Sequence, residues 1–309
     1  MYVKRLARYE VAHRLGSRAV SLALVLAVVS AALPSQYTIP GDAVFPEGVS
    51  LRPGTDQFFV SSTGNGTIYR GTLGKPRVKV FLQPGKNGRV VANGLRAGRD
   101  HLVVAGSVTG FVFVYDYRGR LVRRFATGSG GLINDVALAP NGDAYVTDSM
   151  RGLLFRIKAK ALSTRTSKTT RIGPFVRLAN TPGGSFSNGI VTAGNRYALV
   201  VGTASGVLVR VDLKTKRVRE VATPALPAGD GMARTGRTLY VVNSASKVTQ
   251  VKLSRDWLRG TFVRDITSPR IHFATTVQIA GKRLLVVNSQ FDKRGLTPEL
   301  PFTVAAVRR

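Results

Sequence analysis

The sequence contains no cysteine among its 309 residues. That absence excludes a disulfide framework, a thiol nucleophile and any cysteine-ligated zinc or iron–sulfur site. Histidine is scarce, with only 3 residues, and no G-x-S-x-G, Walker or dinucleotide-binding pattern occurs. Helical periodicity is missing beyond the first 33 residues. What is present, 44% hydrophobic residues and 33 glycines, is enough for a large β-rich core in one domain.

The first 33 residues differ from the rest. Residues 1–18 carry five basic side chains and the single acid Glu10, and residues 19–33 are uncharged and end in small residues before Pro34. This order is typical of a secretory signal peptide. The alternative is an uncleaved membrane anchor, although the apolar run is short against the roughly 20 residues of a bilayer span. We therefore expect a signal at residues 1–33 and one exported domain, secreted or in the cell envelope, at residues 34–309.

Acidic residues are also few, with 16 against 46 Lys and Arg, so the formal net charge is +30. The basic residues are spread along the chain and are densest in a Ser/Thr-rich loop at residues 158–171. No helix-turn-helix, zinc-finger or aromatic RNA-binding pattern accompanies them, so we predict no specific nucleic-acid partner. We interpret the charge as solvated surface that adheres non-specifically to polyanions or envelope polymers.

Six similar units follow residue 40. The predicted second strands of these units are Gln57–Ser62, His101–Ser107, Asp143–Ser149, Tyr197–Thr203, Thr238–Ser244 and Arg283–Ser289. Their apolar runs, bounded by Gly and Ser, indicate strands buried on both faces. A repeat of 40–50 residues with short strands predicts an all-β chain, a six-bladed β-propeller of four-stranded antiparallel blades. A β-sandwich is the rival, but it does not predict six recurrences.

Two irregularities in the repeat have structural interpretations. The longest interval contains the basic Ser/Thr-rich loop, which we interpret as an insertion and not as a missed blade. The last unit ends at its third strand, and an open sheet edge is prone to aggregation. We predict that Gln36–Ile39 supplies its outer strand and closes the ring.

One polar residue precedes the second strand of every unit. These residues are Glu47, Asn93, Asn134, Asn188, Asp230 and Thr276. Because the innermost strands of a propeller run beside its axis, we expect this ring to meet at one mouth of the channel. Carboxylate and amide oxygens without an imidazole or thiol suit calcium, and suit the strict octahedron of magnesium less well. The alternative is that these Asn-Gly and Asp-Gly steps only cap turns.

Four motifs carry a family resemblance: FPEGVS at residues 45–50, INDVALAPNGDAYVTDS at 133–149, SNGIV at 187–191 and GDGMA at 229–233. In order and spacing they resemble the senescence marker protein / gluconolactonase / luciferin-regenerating enzyme family over about residues 40–305. That family is similar to other six-bladed, calcium-dependent hydrolases of lactones and phosphotriesters. The resemblance therefore implies a calcium-dependent propeller hydrolase.

The resemblance also implies residue roles. Glu47, Asn188 and Asp230 would be metal ligands, and Asn134 a fourth ligand or a substrate contact. Asp230 would also orient or deprotonate the attacking water. Family members commonly carry a second Asp soon after the Asp-Gly-Met step, but this chain has Arg234 and Thr235 there. The sugar-lactone specificity of the family is therefore not carried over.

The general base has a second candidate. A carboxylate beside a cation has a lowered pKa and is a weaker base. His272 lies four residues before Thr276, and an imidazole is well suited to proton transfer near neutral pH. The alternative is an ordinary loop histidine. Asn93 and Thr276 remain possible channel contacts.

Three function classes stay open. The first is a calcium-dependent hydrolase of a small lactone, ester or related substrate. The second is an exported, non-enzymatic propeller that binds a partner or an anionic envelope polymer. The third is a propeller enzyme of another type, such as a lyase.

Overall fold

The computed structural model describes residues 33–181, 184, 186–243 and 246–309. The predicted signal segment therefore lies outside the described residues, apart from Leu33. The described part is almost entirely β-structure, and its one α-helix, Ala159–Ser163, has five residues. Within the described residues, no helix is long and apolar enough to cross a bilayer. The all-β prediction is confirmed.

The strands form four-stranded antiparallel units, numbered here in chain order. Over the described residues, unit 1 consists of β2 (Pro46–Leu51), β3 (Gln57–Ser62), β4 (Ile68–Thr72) and β5 (Lys75–Leu82), and unit 2 of β6 (Leu95–Ala97), β7 (His101–Ala105), β8 (Phe111–Asp116) and β9 (Leu121–Ala126). Unit 3 consists of β10 (Ile133–Leu138), β11 (Ala144–Asp148), β12 (Leu153–Ile157) and β14 (Pro174–Arg177), and unit 4 of β15 (Ser187–Ala193), β16 (Tyr197–Gly202), β17 (Val207–Asp212) and β18 (Val218–Val221). Unit 5 consists of β19 (Met232–Thr235), β20 (Thr238–Asn243), β21 (Lys247–Leu253) and β22 (Gly260–Ile266), and unit 6 of β23 (Ala274–Ala280), β24 (Arg283–Asn288), β25 (Phe302–Arg308) and β1 (Gln36–Ile39).

Over the described residues the predicted second strands agree with the structure to within two residues, and Ser244, the predicted end of the fifth, lies outside the described residues. His101–Ser107 ends early, at Ala105, because Ser107 leaves the ladder and bridges to Ile133 of the next unit. Asp143–Ser149 and Tyr197–Thr203 also end one residue early. The hydroxyls of Ser149 and Thr203 donate to backbone carbonyls of a neighbouring segment instead.

The first described strand completes the last unit. β1 pairs antiparallel with β25, with Gln36 opposite Ala305 and Ile39 opposite Phe302. This confirms the prediction that Gln36–Ile39 covers the outer edge of the final unit. A single parallel pair, Thr38 with Arg77, also joins β1 to β5, so units 1 and 6 share one eight-stranded sheet.

The core lies between the units. In the described residues, one hydrophobic cluster fills each interface between successive units, and another fills the interface between units 6 and 1. At the interface between units 6 and 1, Phe58 and Val60 of β3 pack with Leu285 and Val287 of β24. The innermost strands β2, β6, β10, β15, β19 and β23 also contact one another in that order, and β23 contacts β2. The second strand of each unit is buried on both faces because neighbouring units cover both faces of its sheet.

The basic Ser/Thr-rich loop is an insertion, as predicted, and part of it forms regular secondary structure. It contains the short helix Ala159–Ser163 and a strand that was not predicted, β13 (Thr169–Arg171). β13 pairs in parallel with β9 at the outer edge of unit 2. Arg124 of β9 donates to the Thr169 hydroxyl at 2.9 Å. The insertion therefore covers an otherwise open sheet edge.

Candidate functional site

The leading ends of the innermost strands surround a cavity of about 390 Å³, which we call the acidic cavity. Five of the six predicted ring residues line it, one from each of units 1 to 5: Glu47, Asn93, Asn134, Asn188 and Asp230. Thr276 of unit 6 is buried and is not among the lining side chains. The repeat therefore brings most of the ring together in space.

β-Bulges re-aim the ring residues of units 1, 3 and 4. The pairing of the innermost strand slips between Pro46 and Val49, and equivalent slips occur in units 3, 4 and 6. Such a bulge leaves a residue outside the ladder and re-aims its side chain. Glu47, Asn134 and Asn188 lie within these slips. They are strand residues displaced by bulges, which argues against a role limited to capping turns.

The backbone of the ring is held from unit to unit. The Ser61 hydroxyl of unit 1 donates to the Asn93 carbonyl at 2.5 Å, and the Thr147 hydroxyl of unit 3 donates to the Asn188 carbonyl at 2.8 Å. The Thr275 hydroxyl of unit 6 reaches the Glu47 carbonyl at 2.9 Å. These bonds fix Asn93, Asn188 and Glu47 against the adjacent unit.

Close packing explains the glycine that follows most ring residues. A Cβ on Gly189 would lie 2.2 Å from the Asp230 carbonyl oxygen, so only glycine fits there. Unit 3 differs, because Asp135 takes the place of the glycine. Its Oδ1 accepts from the backbone N–H of Val136 at 2.7 Å, and its Oδ2 accepts from that of Ile190 at 3.1 Å. Asp135 is a third buried acid near the cavity, and the sequence analysis did not identify it as important.

The amide groups are oriented by hydroxyls. Asn188 Nδ2 donates to Thr203 Oγ1 at 3.1 Å, and that hydroxyl donates onward to the Gly229 carbonyl at 2.7 Å. Asn134 Nδ2 likewise donates to Ser149 Oγ at 2.8 Å. Since Thr203 has already donated its proton, it can only accept from Asn188. The amide oxygen of Asn188 is thereby turned away from the hydroxyl.

Three buried oxygens at the site have no hydrogen-bond partner in the described structure: Glu47 Oε2, Asn188 Oδ1 and Asp230 Oδ1. Burial, and then the nearby charges of Asp230 and Asp135, hold the pKa of Glu47 well above its usual range. Burial, and then Asp135, raise the pKa of Asp230 to about 8. Unpartnered buried oxygens are costly, and a bound cation would remove that cost.

The donor set fits a hard cation. In the described residues, no group of three or more His, Cys, Asp or Glu side chains is placed to hold a metal. A cation here would therefore depend on amide oxygens as well as the two carboxylates. Mixed carboxylate and amide ligation is the chemistry of calcium, which accepts irregular oxygen cages.

The structure adds lining residues that the sequence analysis did not identify. The acidic cavity is also lined by Thr63, Phe186, Phe291 and Arg294. Arg294 and Phe291 come from the long connection between β24 and β25, which has no counterpart in the other units. His272 is exposed and lines a separate cavity, beside Asp292 and Glu299.

A third cavity, of about 200 Å³, lies at the far ends of the innermost strands, and we call it the arginine cavity. Arg96, Arg234 and Gln278 line it. Arg234 and Thr235 stand where family members commonly carry a second Asp, and neither residue lines the acidic cavity. The Nε of Arg234 donates to the Thr192 carbonyl at 2.9 Å.

No protein-family description matches the sequence, and no curated protein matches it. Solved structures are similar in fold. The Malassezia sympodialis allergen Mala s 1 aligns with a TM-score of 0.65 at 13% identity, over 89% of this chain and 96% of that one. Regucalcin from Agrobacterium tumefaciens, described as a calcium-binding protein, aligns with a TM-score of 0.61 at 15% identity, over 88% and 96%.

Virginiamycin B lyase from Staphylococcus aureus aligns with a TM-score of 0.59 at 10% identity, over 89% of this chain and 98% of that one. At such identities the likeness speaks for the fold alone. All three neighbours are propellers. Together with the four-stranded antiparallel sheets, they show that the chain has a propeller-like fold.

Proposed function

We propose that the protein is a calcium-dependent hydrolase of a small lactone, ester or related substrate. In this proposal the six units are blades of one closed propeller, and Glu47, Asn134, Asn188 and Asp230 surround the cation. The observation that carries the proposal is the set of three unpartnered buried oxygens. They belong to the three residues that the family resemblance assigns as ligands.

Each residue has a proposed task. Calcium, when bound, would polarise a carbonyl or phosphoryl oxygen and stabilise the charge that develops on it. Glu47 and Asn188 would hold the cation, and Asn134 would complete the cage or contact the substrate. Asp230 would orient the attacking water and accept its proton.

The assignment of the base follows from the cavity lining. Among the described side chains that line the acidic cavity, only Glu47, Asp230 and Arg294 are titratable. An arginine does not act as a base at neutral pH. His272 lines a different cavity, which favours a carboxylate, and we assign Asp230 to the role.

The first test is calcium binding, because the substrate is unidentified. The mature protein is stripped with a chelator, and its melting temperature is recorded as calcium or magnesium is added. A ligand specific for the native state stabilises it by about 2.7 kcal/mol at a hundred times its dissociation constant. We expect a saturable calcium response that Asp230→Asn abolishes. Asp42→Asn, an exposed acid without a side-chain partner in the described structure, is the charge-matched control.

A calcium response then justifies a screen of lactones and aryl esters, in which Asp230→Asn should be inactive. Full activity in that variant would overturn the proposal. An absent calcium response, together with tight polyanion binding that survives Asp230→Asn and weakens with salt, would support the alternative of an exported binding propeller.

We also propose export, on the basis of residues 1–33. The N-terminal sequence of the protein recovered from the medium or envelope fraction of its host tests this. A start near residue 34 supports a cleaved signal, whereas recovery of the intact chain in membranes would indicate an anchor.

A further inference from the structure

Arg294 is the one basic side chain among the described residues that line the acidic cavity. Several arginines elsewhere in the described structure pair with acids, as Arg151 does with Asp148 at 2.5 Å and Arg156 with Asp143 at 2.6 Å. In the described residues no carboxylate lies within 4.0 Å of the Arg294 guanidinium. Its hydrogen bond in the described structure goes from Nη2 to the Thr63 hydroxyl.

Aromatic rings hold this guanidinium in place. Its carbon lies 4.2 Å from the ring centroid of Phe291 and 5.4 Å from that of Phe45. Burial among them lowers the pKa of Arg294. An arginine has five N–H donors in a planar fork, so most of its donors remain available to an oxyanion. The packing pre-organises that fork within the cavity wall.

Apolar side chains form another part of the cavity wall. Phe186, 41% exposed, lines the cavity together with Phe291 and Leu132. Such a wall accommodates the hydrocarbon body of a small ligand, and the fork accommodates a charged end. A neutral ligand could not form a charge-assisted pair with this guanidinium.

We infer that the acidic cavity binds small organic anions, with a carboxylate or phosphate paired to Arg294 and an apolar body packed against Phe186 and Phe291. That this anion is the hydrolase substrate rests on the proposed function, whereas anion binding itself does not. A bound calcium ion would add positive charge to the cavity and attract the anion. Binding should therefore tighten when calcium is present.

Titration calorimetry with phenyl phosphate, and with benzyl alcohol as a neutral analogue, tests the inference. Measurements are made with calcium and with chelator at physiological salt. The protein has a formal net charge of +30, so a control for non-specific attraction is required. Arg270→Gln removes an exposed arginine of the loop before β23, for which the structure shows no side-chain partner among the described residues.

We expect Arg294→Gln to weaken phenyl phosphate binding about tenfold or more, the range for losing hydrogen bonds to a charged group. Arg294→Lys should fall in between, because lysine keeps the charge and loses the fork. Arg270→Gln should bind like the wild type, and benzyl alcohol should not distinguish the variants. Unchanged melting temperatures in calcium would show that the variants are folded.

Equal phenyl phosphate affinity in the wild type and Arg294→Gln would overturn the inference and assign the anion to the general positive surface. A calcium response without phenyl phosphate binding would refute this inference alone. Phenyl phosphate binding that requires Arg294 but not calcium, in a protein without a calcium response, would support anion binding and refute the proposed hydrolase.

Discussion

The acidic cavity and the arginine cavity lie at opposite ends of the innermost strands, and the polar groups that line them differ in whether they have hydrogen-bond partners. At the acidic end, three buried oxygens have no partner in the described structure. At the other end, Arg96 donates to the Val136 carbonyl at 3.1 Å and to Gln278 Oε1 at 3.3 Å. Buried oxygens at the acidic cavity therefore lack hydrogen-bond partners, whereas the arginines at the arginine cavity link neighbouring units through hydrogen bonds.

This difference separates a site from a structural plug. A buried polar group that is hydrogen-bonded within its own chain stabilises the fold. A buried polar group without a partner lowers stability until a ligand provides the missing hydrogen bond or charge. Disturbing the acidic end should therefore change ligand responses. Disturbing the arginine end should change stability alone.

The largest expected effect is on the pH dependence of the metal-free protein. The pKa of Asp230 is raised to about 8 from an ordinary 3.8. Between these values the folded protein keeps a proton that the unfolded chain has released, so folding takes up a proton. The free energy of unfolding should then fall as the pH rises, by up to about 1.4 kcal/mol per pH unit for this group. Urea melts at about pH 5, 6 and 7 in chelator measure it.

Two comparisons sharpen this result. Asp230→Asn should reduce the slope by one proton, and a residual slope of the same sign should remain from Glu47, whose pKa is also raised. Asp116 and Asp212 have pKa values lowered to about 2, so they change the free energy of unfolding only at a pH below the range of these melts. Calcium should stabilise the wild type more at high pH, since it competes with protons. Identical slopes in the wild type and Asp230→Asn would contradict the assignment.

A smaller effect is expected at the arginine cavity. Arg234 donates to the Thr192 carbonyl and, through Nη1, to the Gly236 carbonyl, and its guanidinium lies 5.1 Å from the Trp257 ring. Arg234→Met keeps the apolar stem and removes the donors. It should lower the free energy of unfolding by about 2 kcal/mol, the usual range for lost hydrogen bonds to a charged group.

The calcium response of Arg234→Met should equal that of the wild type. Arg255→Met, at an exposed arginine with no side-chain partner in the described structure, is the control and should leave the urea midpoint unchanged. A lost calcium response in Arg234→Met would show that the two cavities are not independent.

The repeat explains which of these features could be predicted from sequence. Each unit buries the same strands against its neighbours, so strand positions and the shared site of Glu47, Asn134 and Asn188 follow from periodicity. Arg294 could not be found in that way, because it lies in a connection that only unit 6 contains. Thr276 occupies the ring position in sequence, but it is buried and does not line the cavity.

The hydroxyl residues at the strand ends are an intermediate case. Ser149 and Thr203 are visible in the sequence as a recurring polar end to the second strands. Their partners, the carbonyls of Ser187 and Gly229, lie 38 and 26 residues further along the chain. Only the folded structure brings those carbonyls close. The pattern predicted where the strands end, and the structure adds that these hydroxyls orient the amides of the site.

The smallest expected effect tests that orienting role. Thr203→Val preserves the shape of the side chain and removes the hydroxyl that fixes the Asn188 amide. Groups that orient metal ligands typically contribute tenfold or more to affinity, so the calcium dissociation constant should rise about tenfold. Thr192→Val is the matched control, because its hydroxyl donates to the Leu138 carbonyl at 3.0 Å in the same unit but at the arginine cavity. Calcium titrations that distinguish these two valine variants locate ligand orientation at the acidic end, whereas equal weakening in both would mean that any loosening of unit 4 suffices.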